Sequence, residues 1–318
     1  MKISIGLTVF NGERYILDQL KSITQQTRLP DEIVISDDNS TDQTLKLINE
    51  FKAKSPVEIK VYINSVNLGF TKNFEKVLKH CSGDLIFLSD QDDVWYQDKI
   101  EVVLDEFDKN PDSLLLIHNA DLTDEHLKKS GENYLAQVIR GFGSDSALIT
   151  GALTILKREL LDYAMPFPEG LVGHDGYLHK IAALLSSRIV LPKELQAIRR
   201  HQANTSEWIA SSLGKIDKKD VFISQLQTNV AENYNDRLEI NKAAHEAINK
   251  AKRSGLFDDK TIDQAFRIIH LEKKAINQRN KLVQSTFLKR KLIAFSMLFC
   301  GQYKQFNGLK SFARDVIR

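Results

Sequence analysis

Asp90, Asp92 and Asp93 stand within four residues of one another, directly after the apolar run Leu85-Ile86-Phe87-Leu88. A buried strand that ends in crowded like charges is locally unfavourable, because neighbouring carboxylates repel and one is driven to keep its proton. A divalent cation resolves the conflict, and hard oxygen donors suit Mg2+ or Mn2+. Mg2+ is commonly held by one or two carboxylates together with substrate phosphates, so the chemistry expected here is recognition of a diphosphate. The competing reading of the same residues is a solvated acidic turn, or a helix N-cap ahead of Trp95.

The flanking sequence predicts how such residues are positioned. Residues 2–10, 32–36, 58–63 and 85–89 are apolar and β-rich, whereas 14–26, 42–54 and 71–80 carry apolar side chains at helical spacing. Alternation at this pitch predicts βαβ units and a parallel sheet with helices on both faces. Ligands bind beyond the carboxyl ends of such strands. A polar cluster follows each of the four strands: Asn11, then Asp37 to Ser40, then Asn64 to Gly69, then Asp90 to Asp93. Helix capping by Ser40 or Thr41 explains one cluster; four on one edge point to a site. Downstream, 114–118 and 146–157 read as strands. Gly151 in the second suits close backbone approach to a ligand. Residues 175–185 read as helix and 188–191 and 196–201 as extended, before a polar turn at 202–205. From about residue 218 only helical patterning is found.

These pieces together resemble the inverting glycosyltransferases of family 2, which have the GT-A fold. The resemblance rests on Leu7-Thr8-Val9-Phe10-Asn11-Gly12-Glu13, on Ser36 to Asp42, on Asn67-Leu68-Gly69, on Gly83-Asp84 and on Asp90-Gln91-Asp92-Asp93. The run Asp90 to Trp95, with His174-Asp175 and the stretch Ile198 to Asn204, is most similar to the bacterial rhamnosyltransferase-type branch. The likeness covers residues 1 to about 205. It implies an α/β fold of GT-A type, with a mostly parallel central sheet, helices on both faces and an α-helical C-terminal region. It also implies that Thr8 and Phe10 line a base and ribose pocket together with Asn11 and Asn67, that Asp38 accepts from a pyrimidine, and that Asp90 sits near the ribose. Asp92 is then the metal ligand, with Asp93 sharing that role, and His201 meets the metal or diphosphate from the far side. Gly151, His174 and Arg199 border the donor, and Asp175 is the catalytic base. The chemistry agrees: inverting transfer needs a base for the acceptor hydroxyl and neutralisation of the departing diphosphate. Taken without the resemblance, Asp175 reads first as a residue placed to begin a helix. Ile198 stands where the family has tyrosine, and Gly176-Tyr177 where it has an aromatic pair. The donor is therefore left between dTDP-rhamnose and a UDP-hexose, and the acceptor is a glycan or lipid-linked hydroxyl of bacterial-type cell-surface polysaccharide.

Of the 318 residues, 42% are hydrophobic and 27% charged, the balance of a folded soluble protein. No apolar run approaches the ~20 residues that a membrane span needs. The opening apolar run lacks a small-residue cleavage site and reads as a strand rather than a signal peptide. Two distant cysteines, Cys81 and Cys300, suggest no disulfide framework and fit a reducing cytoplasm. Charge is unevenly spread: residues 215–318 hold 21 Lys/Arg against 11 Asp/Glu, and residues 1–214 hold 23 against 31. The expected division is thus a catalytic domain over 1–214 and a basic helical region over 215–318. That region, with seven Lys/Arg and one acid in 287–318, suits either peripheral contact with the inner face of the cell membrane or packing within the chain or a homodimer. Specific nucleic-acid binding is not expected. Two other classes are weighed against the enzyme. One is a non-catalytic nucleotide- or sugar-binding protein on the same fold. The other is a dinucleotide oxidoreductase, which would need Gly-x-Gly-x-x-Gly where Phe10-Asn11-Gly12-Glu13 stands.

Overall fold

The computed structural model describes residues 1–202, 204, 211–227, 234–306 and 308–317. Ala203 and Thr205 of the expected polar turn lie outside the described residues, as do 228–233 of the expected long helical stretch. The chain forms two compact units. The first comprises Met1–Pro166, Gly173–Ala182 and Ser187–Thr228, and the second Phe167–Val172, Ala183–Ser186 and Asn229–Arg318.

The first unit begins with β1 (Ile3–Val9), α1 (Ile16–Thr24), β2 (Glu32–Asp37), α2 (Thr44–Lys52), β3 (Glu58–Ile63), α3 (Phe70–His80) and β4 (Leu85–Ser89). β3, β2, β1 and β4 lie side by side in parallel. Strands covered on both faces read as near-continuous apolar runs, and β1, β2 and β4 are buried almost throughout. Ile3, Ile5, Leu7 and Val9 share one face of β1 and pack with Ile16, Leu20 and Ile48. On the other face, a side chain at Gly6 would touch Val77 of α3 and Cys81 just past its end at 3.4 Å. Helices therefore cover both faces, as the alternation of periodicities predicts.

Next come β5 (Val94–Trp95), α4 (Lys99–Lys109), β6 (Leu115–Thr123), β7 (Lys129–Asn133), α5 (Tyr134–Phe142), β8 (Thr154–Lys157), α6 (Arg158–Ala164), α7 (His174–Leu184), β9 (Arg188–Arg199) and α8 (Lys218–Gln227). The sheet order is β3-β2-β1-β4-β8-β6-β9-β5, with β7 on β6. β8 runs antiparallel to β4, so the chain just before β8 arrives at the carboxyl edge of the parallel strands. β9 runs antiparallel to β5, pairing Val94 with Ala197 and Trp95 with Gln196. Its far end therefore meets the acidic turn.

Two expectations change. Of the stretch 146–157 only Thr154–Lys157 is strand. Before it lie short 3-10 turns at Asp145–Ala147 and Gly151–Leu153, and the Thr154 hydroxyl donates to the Thr150 carbonyl at 2.7 Å. The chain bends there to leave the sheet. Conversely, the extended pieces expected at 188–191 and 196–201 merge into one strand, Arg188–Arg199, which stops short of residues 200 and 201. The register of β9 against β6 shifts beside Asn119, because Pro192 cannot donate to the ladder. Asn119 Nδ2 bridges the break to the Pro192 carbonyl at 3.1 Å and to Glu194 at 2.8 Å.

The second unit contains α9 (Tyr234–Ser254), α10 (Asp259–Val283), α11 (Phe287–Phe299) and α12 (Leu309–Ile317). Leu282, Ala294, Met297 and Tyr303 form a small core with Phe306, Phe312 and Val316 packed around it. Arg279 and Asp315 pair inside it at 2.9 Å, and the Tyr303 hydroxyl donates to Asp315 at 3.1 Å.

At the amino edge of the sheet, Glu32 is fully buried yet ionised. Burial works to raise its pKa, but hydrogen bonds from Lys60, Ser4 and Ser82 outweigh it and bring it down to about 2. A carboxylate held below its unfolded value contributes stability that is complete above about pH 4.5 and lost as pH falls toward 2. Glu32→Gln is therefore expected to cost on the order of 2 kcal/mol at pH 7, and the difference from wild type should shrink as urea unfolding is repeated at lower pH.

Candidate nucleotide-sugar site

The loops after β1 and β2 are laced together before they can present anything to a ligand. Asn11 and Asn39 adopt left-handed backbone, with φ of 47° and 66°, a conformation that asparagine tolerates better than most residues. Asn11 N donates to Ser40 Oγ at 2.9 Å, and Asn11 Oδ1 accepts from Thr41 N at 2.9 Å. Gly12 N donates to Thr44 Oγ1 at 2.7 Å, and Gln43 N to Glu13 at 2.8 Å. Thr8 is half-buried at the end of β1 and Phe10 is exposed. The Phe10 backbone is gripped at both ends by Gln91, whose Oε1 accepts from Phe10 N at 2.9 Å while its Nε2 donates to Phe10 O at 3.0 Å. Sequence reading passed over Gln91. Its place between two aspartates was the available signal, because a neutral amide there has both a donor and an acceptor to spend on backbone.

Asp38 organises the loop that follows β3. Its Oδ1 accepts from Asn64 Nδ2 at 2.7 Å and Leu68 N at 2.8 Å, and its Oδ2 from Gly69 N at 2.9 Å. Buried among these donors, it shapes the loop that carries Asn67, itself exposed. Gly69 sits at φ 80°, where a glycine is needed.

The acidic turn separates its three carboxylates. Asp93 is buried, accepting from Gln196 Nε2 at 2.8 Å and from Arg199 N at 3.1 Å. Gln196 in turn accepts from the buried Lys99 ammonium at 2.6 Å, which lies 3.6 Å over the Trp95 ring. Burial pushes Asp93 up, aided by Asp92 and Asp90, and pushes Lys99 down. Asp93 is thus committed to holding β5 against β9. Asp92 faces His201: its Oδ2 lies 2.8 Å from His201 Nε2 and 3.2 Å from Asn204 Nδ2. The His201 ring rests against Tyr15 with centroids 4.7 Å apart. Asp90 makes no side-chain hydrogen bond among the described residues. Burial, then the charges of Asp92 and Asp175, push it up to about 7.

Arg199 is bonded within the protein. Its Nε donates to Asp92 O at 3.0 Å, its Nη1 to Glu125 O at 2.9 Å and its Nη2 to Asp18 at 2.9 Å, and the guanidinium stacks 4.4 Å over Tyr15. With three of its N–H groups bonded to the protein and 4% exposure, it clamps the acidic turn. Asp18, Glu125 and Tyr15 are the partners that sequence reading missed, since nothing local announces them.

His174 and Asp175 open α7. Asp175 is half-buried, with Oδ1 accepting from Gly176 N at 2.8 Å. His174 is buried and stacked on Phe74, with centroids 4.0 Å apart. Neither ring nitrogen has a hydrogen-bond partner among the described residues. Burial depresses its pKa to about 4 against the opposing pull of Asp175. A side chain on Gly151 would come within 2.8 Å of His174 Nε2, so the glycine and the imidazole are in direct apposition.

The described residues hold no cluster of three or more His, Cys, Asp or Glu placed to bind a metal unaided. Asp92 and His201 form a two-donor set, and their 2.8 Å separation lets one small ion take both, since neighbouring ligands on an octahedral ion lie about 3 Å apart.

A parallel half-sheet with acidic turn, antiparallel insertion and a carboxylate opening α7 is the GT-A arrangement. Residues 4–161 match the profile of Glycosyl transferase family 2, and the chain belongs to that family. It is 43% identical to the dTDP-rhamnosyl transferase RfbG of Shigella flexneri over 104 residues, 31% of this chain and 36% of that one. It is 28% identical over 204 residues to an uncharacterised Mycobacterium tuberculosis protein, covering 63% of this chain and 59% of the relative's length. In fold it is similar to Staphylococcus aureus TarS 1–349 in complex with UDP-GlcNAc, with TM-score 0.54, 18% identity and coverage of 99% and 92% of the two chains.

The clamp makes a sharp prediction. Arg199→Lys keeps the charge but not the three-way fork, and is expected to lower unfolding stability by about 2–3 kcal/mol. Unchanged stability by urea titration would remove Arg199 from that role.

Proposed function

We propose that the chain transfers a sugar from a nucleoside diphosphate donor, dTDP-rhamnose or a UDP-hexose, to a glycan or lipid-linked hydroxyl with inversion, in cell-surface polysaccharide synthesis. The observation that carries this reading is the pairing of Asp92 with His201 at 2.8 Å in the acidic turn, with Asp175 at the head of α7 close enough for its charge to act on Asp90. One edge thus gathers a diphosphate-binding acidic turn and a carboxylate suited to be the base. The likeness to RfbG and to TarS supports a pyrimidine nucleotide donor. Residues 1–214 are the catalytic domain in this reading, and 215–318 an accessory helical region.

Thr8, Phe10, Asn11 and Asn67 border the nucleotide, on loops fixed by Asp38 and Gln91. Asp90, whose pKa burial and the neighbouring Asp92 and Asp175 raise to about 7, lies near the ribose in this reading. Asp92 and His201 would hold Mn2+ or Mg2+, which when bound neutralises charge on the departing diphosphate. Asp175 accepts the proton of the acceptor hydroxyl as its oxygen bonds to the anomeric carbon. The bond from that carbon to the phosphate oxygen breaks on the opposite face, and the electron pair leaves with the diphosphate. His174, held neutral, and the bare backbone at Gly151 shape the donor-sugar end.

Asp175→Asn is expected to lower turnover by about 10²–10⁴-fold with nucleotide affinity unchanged, followed as release of nucleoside diphosphate in the presence of Mn2+. Full turnover in that variant excludes Asp175 as base, and nucleotide binding without turnover in wild type with any acceptor favours the non-catalytic reading. Asp92→Asn and His201→Ala should each raise the Mn2+ concentration giving half-maximal activity by roughly tenfold or more. Activity indifferent to chelation would separate the transfer from any metal.

A further inference from the structure

We propose that α11 and α12 form a docking surface for anionic phospholipid headgroups, on which the second unit lies flat. The inference goes beyond the transfer reaction and does not depend on it.

Leu288, Leu292, Phe295 and Phe299 are spaced by four, three and four residues along α11 and are 75, 73, 45 and 86% exposed. At about 100° per residue they fall within one narrow stripe. The opposite face carries Ala294 and Met297 into the core, so the helix is seated and the stripe is what it leaves outside. Leu309 and Ile317 of α12 are 71 and 82% exposed. Monomeric proteins seldom leave a stripe of large apolar side chains such as that of α11 uncovered unless something binds it.

Charge identifies the occupant. On the same helical projection Lys289 and Lys291 flank the stripe on its two sides. The Lys291 ammonium lies 4.1 Å from the Phe287 ring centre. Residues 287–317 contain six Lys/Arg and a single acid, Asp315, and that acid is buried in its pair with Arg279. No carboxylate of this segment therefore reaches the surface. Leucine and phenylalanine along one stripe with lysines at its margins is the composition of a helix that lies in the headgroup region of an anionic bilayer. A second copy of the same cationic surface would repel the first. A nucleic acid would satisfy the cations but leave the leucines without a use. Crossing the bilayer is excluded for this element: α11 has 13 residues, about 20 Å of helix against a hydrocarbon core of about 30 Å, and no helix among the described residues is long and apolar enough to span.

The test is vesicle flotation with the full chain, using phosphatidylcholine vesicles with and without about one-third phosphatidylglycerol. Binding to the anionic vesicles is expected to exceed binding to the neutral ones by at least roughly tenfold and to weaken in about 0.5 M NaCl. The triple variant L288E/L292E/F299E should lose that binding while keeping its circular dichroism and thermal unfolding, because all three side chains are exposed. K289E/K291E should bind anionic vesicles less than wild type does. Absence of flotation in wild type, or flotation unchanged in the triple variant, overturns the proposal. So does a dimer mass by light scattering that reverts to monomer in the triple variant, which would assign the stripe to self-association.

Discussion

Three carboxylates in four residues are tolerable only because the fold sends each to a different fate, and Arg199 enforces the division. Its backbone N–H and the Gln196 amide take Asp93 inward. Its guanidinium grips the Asp92 carbonyl, which leaves the Asp92 side chain turned to His201. Asp90 is left with neighbouring charge and little solvent, and its pKa climbs to about 7. Like charges that would simply repel in an unsupported turn become a buried anchor, a carboxylate paired with histidine and an acid of raised pKa. The guanidinium suits this work because it is planar, permanently charged and able to bond in three directions at once.

The second constraint is chain direction. Parallel strands deliver the loops after β1, β2, β3 and β4 to one edge. The chemistry on that edge is completed by elements of the other sense: β8 arrives antiparallel to β4, so Gly151 lies just ahead of it at the same edge, and β9 arrives antiparallel to β5, bringing Arg199 and His201 to the acidic turn. His174 then faces Gly151 across a space that a single methyl group would fill. The buried Lys99 and Asp93, bridged by Gln196, hold the base of this assembly with both groups driven toward neutrality, a tolerable arrangement for charges removed from water.

The support beneath the loops consists mostly of side chain to backbone bonds. Asp38 organises Leu68 and Gly69, Asn11 organises Thr41, and Gln91 holds Phe10. Polar residues at strand ends were legible as a cluster. Whether each faced a ligand or a neighbouring loop was not, since both uses require the same donors and acceptors.

By itself the sequence determined the alternation of strand and helix, the edge on which polar residues gather, the acidic turn, the His174-Asp175 pair at the head of a helix and the helical character of the C-terminal region. These follow from local periodicity and from a rule of chain direction, both of which act over a few residues. Only the tertiary structure decided that Arg199 is a clamp, that Asp93 and Asp38 point into protein, that Gly151 meets His174, and that 188–199 is one strand broken by Pro192. Each of those outcomes depends on partners far away in the chain, as Arg199 depends on Asp18. Hydrogen-bond acceptors are chosen by proximity in space, and proximity in space is what local periodicity does not encode.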